Sequence, residues 1–181
     1  MRRVFETTQP FRVPDGTLVA ALLNSKDRRC GLPFGLLDDF SIAAGTIGPR
    51  SKSKIHLLPF VTQVTFVRRG KLQVCMKAAR DAAPYRLRVG PDQAVLTECG
   101  TLLQLANDGA RPCEVLYIAS PAYLFEVAND RVVYDDAVAL AEDWPRLAAA
   151  GWHPARRLPT IGERRRAARR LAATAAARPR P

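Results

Sequence analysis

The chain has 181 residues, 48% of them hydrophobic and 25% charged, and a net charge of +11. That length suits one domain with a sizeable core plus terminal extensions and excludes two full domains. No run approaches the roughly 20 apolar residues of a membrane span, and the start, MRRVFETTQP, meets charge and proline before an apolar signal region could form, which predicts a cytoplasmic protein.

Residues 1–40 read as an N-terminal arm. Its apolar runs TLVAALLN and CGLPFGLLDDF are divided by Asp15-Gly16 and by the prolines and glycines of 31–35, and such an arm packs on the body or on a partner subunit. Residues 41–127 change character. Eight short runs bounded by turn residues (FSIAAGTI, SKIHLLPF, QVTFVRRG, KLQVCMKA, YRLRVG, QAVLTECG, LLQLAND and CEVLYIAS) predict an all-β sandwich or barrel. Lys71–Lys77 and Tyr85–Val89 alternate with period two, so one face of each meets the core, as in an antiparallel sheet.

Residues 128–153 read as a C-terminal helical segment. Asp135 or Asp136 is the N-cap, Gly151 the stop, and the helix covers about 136–150 with a kink or restart at Pro145. Residues 154–181 form a basic Ala/Arg-rich tail with nine arginines and one acid, Glu163. Its helix propensity is strong but its apolar face is thin, which predicts a mobile tail. The body left over is nearly neutral, and the tail has neither aromatics for base stacking nor a reading element, so nucleic acid is not the expected partner. Cys30, Cys75, Cys99 and Cys113 have no zinc-like spacing and read as small, reduced, buried hydrophobes.

Chemistry centres on KIHLLPFVTQVTFVRRG, residues 54–70. Period-two alternation puts His56 and Leu58 on one face. An imidazole there is either a satisfied core group or a general acid or base, with Gln63 orienting it or a substrate. Tyr117 is a second proton donor if it points inward.

His56, Leu58, Gln63 and Gly70, followed by Gly100, Leu103 and Asn107, resemble the two motifs of the cupin superfamily over roughly residues 41–125. The resemblance implies a double-stranded β-helix, or jelly-roll, barrel with the N-terminal arm, C-terminal helix and tail appended, and it implies a homodimer. Metal-dependent cupins bind their ion at four motif positions, which here hold His56, Gln63 and the two leucines Leu58 and Leu103. Three good ligands are the usual minimum for a catalytic ion, so no cofactor is expected. The alternative is a single Fe, Zn, Ni, Cu or Mn ion anchored on His56 and Gln63, with Gln104 or Glu98 joining them.

Three functions follow. The first is binding of a small, largely apolar molecule in a barrel pocket built from Leu58, Leu103 and Gln104, with His56, Gln63 and Tyr117 as the catalytic set of a metal-independent isomerase, cyclase or lyase. The second is ligand binding or dimerisation without catalysis. The third is a metal-dependent dioxygenase with a rearranged site.

Overall fold

Strict alternation of inward and outward side chains marks two strands, Thr62–Arg69 and Cys113–Ser120, and they pair antiparallel near the middle of one sheet. The computed structural model describes residues 4–128, 131–147 and 160–176. Its strands in chain order are β1 (Phe11–Arg12), β2 (Leu18–Leu23), β3 (Ser41–Ile47), β4 (Ser51–Lys52), β5 (Ile55–Leu57), β6 (Thr62–Arg69) and β7 (Leu72–Lys77). Then follow β8 (Tyr85–Val89), β9 (Ala94–Thr97), β10 (Leu102–Asn107), β11 (Cys113–Ser120), β12 (Phe125–Ala128), β13 (Arg131–Asp135) and β14 (Val138–Ala141).

One sheet runs β1-β2-β3-β11-β6-β9 and the other β14-β5-β10-β7-β8, with β4 also on β10 and β12-β13 as a separate ribbon. The eight strands expected between 41 and 127 are β3 and β5 to β11. The arm contributes β1 and β2, which extend the first sheet outward from β3. At the β6–β7 hairpin Gly70 has φ +89, and a Cβ there would lie 3.1 Å from the Cys113 Cα, so the tight turn requires glycine.

Between the sheets lie Val67, Leu72, Val74, Leu103, Leu105 and Val115, each no more than 1% exposed. A second apolar layer forms outside β5 and β10, where Ile55, Leu57 and Leu102 pack under Leu140, Trp144, Leu147 and Leu171. This layer explains why β5 buries both of its faces.

The helix expected over 136–150 is replaced by strand β14, paired with β5, and by a 3-10 turn over Trp144–Arg146. VALA is too short and too apolar for periodicity to separate strand from helix, and β5 offers unpaired backbone groups that a strand satisfies. Residues 148–150 and Gly151 lie outside the described residues. The α-helix, α1 (Ile161–Ala176), falls instead within the segment expected to be a mobile tail.

A capping box opens α1. Thr160 N–H donates to the Glu163 carboxylate at 2.7 Å, and Glu163 N–H donates to the Thr160 hydroxyl at 3.4 Å. Ile161, Ala167, Ala168 and Leu171 then pack on the core. Arg164, 6% exposed, reaches Asp136, which is fully buried, through an ion pair that also places Nε 3.1 Å from Oδ1. Among the described residues, no helix is long and apolar enough to cross a membrane.

Candidate functional site

Inward alternation on β5, β6 and β11 brings His56, Gln63 and Tyr117 to one cavity inside the barrel, with Leu58 beside them. Its space is about 80 Å³, room for several waters or a small organic molecule. Its walls are mostly apolar: Val13, Val19, Ala21, Leu105, Ala119 and the stacked rings of Phe11 and Phe125, whose centroids are 4.3 Å apart. The arm therefore forms one wall of the site.

The arm also brings a carboxylate. The Asp15-Gly16 turn is closed by Gly16 N–H donating to the Val13 carbonyl at 2.8 Å, and Lys54 N–H donates to the Asp15 carbonyl at 2.7 Å. This backbone tie sets the Asp15 side chain beside His56, with Oδ2 3.4 Å from Nδ1. Asp15 Oδ1 accepts from the Thr17 N–H and hydroxyl, each at 2.8 Å. His56 Nδ1 is also 3.0 Å from the Lys54 carbonyl. Both neighbours of Nδ1 can only accept, so in the neutral ring Nδ1 carries the proton and Nε2 keeps its lone pair. Nε2 has no partner among the described residues.

Tyr117 points inward. Its ring occupies the place a side chain would take on Gly45, where an added Cβ would lie 2.2 Å from Cε2. The Tyr117 hydroxyl is buried and has no hydrogen-bond partner among the described residues. Thr17, whose hydroxyl donates to Asp15 and keeps its lone pairs, is close enough to act on the phenol. Burial first, and then the charge of Asp15, raise the Tyr117 phenol far above its ordinary value, so it stays protonated.

Behind the cavity, the Tyr123 hydroxyl donates to Asp135 Oδ1 and accepts from the Ala137 N–H at 2.8 Å. Burial pushes the Asp135 carboxyl up to about 7, against the pull of the Tyr123 and Ala137 hydrogen bonds. Its Oδ2 is buried without a partner among the described residues.

Leu103 and Gln104 depart from expectation. Neighbouring residues of a strand face opposite ways, so they could not both line one pocket. Leu103 faces inward opposite His56 but is sealed in the core away from the cavity, where Leu105 takes the expected place. Gln104 faces outward: its amide donates to the Ser53 and Glu142 carbonyls at 2.9 and 3.1 Å and accepts from Trp144 Nε1 at 3.1 Å. It lines a separate polar groove with Arg50, Lys52 and Arg86. Asn107, a motif position, clamps the Ile47, Gly48 and Arg111 carbonyls and is structural.

The donor set does not fit a resident transition metal. Leu58 and Leu103 offer no ligand atom and the Gln63 amide donates to the Thr65 hydroxyl at 3.2 Å, which leaves His56 Nε2 as the one nitrogen donor at the motif positions. Among the described residues, no group of three or more His, Cys, Asp or Glu converges on one point. No thiol lines the cavity either, and burial pushes Cys99 and Cys113 up to about 11.

No protein-family model and no curated protein sequence matches the chain. Solved structures do. An oxalate decarboxylase from Lactobacillus farciminis aligns with a TM-score of 0.55 at 14% identity, over 74% of this chain and 33% of that one, so this chain spans about a third of that protein. A CENP-C domain from Drosophila melanogaster aligns at 0.50 and 11% identity over 64% and 72%. Peruvianin-I, a cysteine peptidase from Thevetia peruviana latex, aligns at 0.51 and 13% over 61% and 65%. These likenesses, with the two antiparallel sheets closed around an inward-facing motif histidine, establish that the chain has the cupin fold.

Proposed function

We propose that the chain binds a small, largely apolar molecule in the barrel cavity and moves a proton on it through His56, without a resident metal, as an isomerase, cyclase or lyase does. One observation carries this reading: a buried Asp15–His56 pair leaves a bare Nε2 on an apolar cavity. A proton leaving the substrate passes to Nε2, and the imidazolium so formed is stabilised by Asp15 Oδ2 in surroundings that screen charge poorly. The carbonyl oxygen of Gln63, which has no partner among the described residues, serves to orient the substrate. Returning the proton to a different atom gives isomerisation.

The test uses 2-hydroxycyclohexanone, an uncharged carbon acid that also carries a hydroxyl, in D2O, followed by NMR. The full chain is expected to speed deuterium uptake at the α-carbons above the buffer rate, and His56→Ala to fall back to that rate. Equal rates for the two proteins would refute proton transfer by His56. Binding without turnover is a second reading, favoured by leucine at Leu58 where a metal-binding cupin keeps a ligand. It predicts a bound probe and no exchange. We take the working unit to be a homodimer, as the resemblance implies, which sedimentation at twice the chain mass would support.

A further inference from the structure

The charges around the cavity restrict what can enter it. Among the described residues, the lining holds two carboxylates, Asp15 and Asp27, and neither lysine nor arginine. Asp27 is matched by Arg29, which pairs with it at 2.9 and 2.6 Å, so Asp15 is the charge an occupant meets. Asp15 is 6% exposed and receives the Thr17 N–H and hydroxyl beside the His56 ring. Nε2, the free polar atom of His56, is an acceptor because both neighbours of Nδ1 are acceptors.

We infer that the occupant is an uncharged molecule that presents a hydrogen-bond donor, a hydroxyl or N–H on an apolar frame, to His56 Nε2, and that carboxylates are rejected. This rests on the cavity reading above and narrows it. A carboxylate would bring a second anion beside Asp15 and direct lone pairs at the lone pair of Nε2, in a space that holds no cation and offers the neutral Tyr117 hydroxyl as its unpaired donor among the described residues, too little to offset the desolvation of an anion. A neutral donor meets none of these costs and satisfies the open Nε2 acceptor, with the Gln63 carbonyl oxygen as a second acceptor on the same wall. An occupant of this kind also delivers its proton to the atom that must receive it.

Phenol, toluene and benzoate are three single rings of similar size that differ only in this property. Each is titrated into the full chain at neutral pH, with the His56 ring signals and the melting temperature as readouts. Phenol is expected to bind at least tenfold tighter than toluene or benzoate, and His56→Phe to abolish its advantage over toluene. Should that variant fail to fold, Asp15→Asn is the second test: it removes the anion while keeping the shape, and is expected to raise benzoate affinity relative to phenol. Benzoate binding as tightly as phenol, or Asp15→Asn leaving their ratio unchanged, would overturn the inference. Toluene and phenol binding alike would also overturn it but leave the cavity reading standing, whereas no probe perturbing His56 would remove both.

Discussion

Two buried polar clusters lie in this molecule, and they differ in what they leave open. Around Asp136 every acceptor is taken: Oδ1 by the Tyr134 hydroxyl at 2.7 Å and by Arg164 Nε, Oδ2 by the Leu124 N–H at 2.7 Å and by Arg164 Nη2. At the barrel cavity the buried Tyr117 hydroxyl and the His56 Nε2 find no partner among the described residues, and behind it neither does the buried Asp135 Oδ2. Unpaired buried polar groups are costly, so folded proteins keep few of them. The first cluster is a rivet that fastens α1 to the barrel. The second leaves buried polar atoms without a partner among the described residues.

The contrast breaks most visibly at the rivet. Arg164→Ala strands a fully buried carboxylate and is expected to cost about 3–5 kcal/mol in denaturant unfolding. An Arg164→Ala protein as stable as the parent would mean that α1 is not fastened there.

Asp135 gives the next effect, and its sign is set by its raised carboxyl. The folded chain holds that proton up to about pH 7, whereas an unfolded aspartate releases it near 3.9. The contribution of Asp135 to stability is therefore full below about pH 4 and is lost as the pH rises to about 7, by at most about 1.4 kcal/mol per pH unit. Asp135→Asn should remove this fall, which paired denaturation series from pH 4 to pH 8 would reveal. Parallel curves for the two proteins would contradict it.

Tyr117→Phe gives the smallest change in stability and the sharpest contrast with Arg164. Deleting a buried hydroxyl that has no partner relieves an unmet desolvation cost, so melting should be unchanged or raised by about 1 kcal/mol. A loss of more than about 1 kcal/mol would show that the hydroxyl is satisfied after all.

Much of the barrel was readable because alternation reports directly on facing. His56, Leu58, Gln63 and Tyr117 reach the cavity for that reason. Asp15 was hidden because its partnership with His56 depends on the turn between β1 and β2 packing across a distance of 41 positions, and no local pattern encodes such a contact. The Asp15-Gly16 pair signalled a turn but not what the turn would touch. Gln104 turns away from the cavity because adjacent strand residues face opposite ways, and Leu103 beside it takes the inward face. In the tail, the Thr160–Glu163 capping box announced a helix start, yet burial of Arg164 runs against every expectation for an arginine-rich segment.

The most direct measurement is the protonation pattern of the His56 ring. The chain has two histidines, His56 and His153, so a long-range proton–nitrogen NMR spectrum of the full chain is simple, and His153→Gln assigns it. The neutral ring of His56 is predicted to carry its proton on Nδ1, with Nε2 bare and the Nε2 signal moving when phenol is added. A proton on Nε2, or a ring indifferent to phenol, would contradict the account.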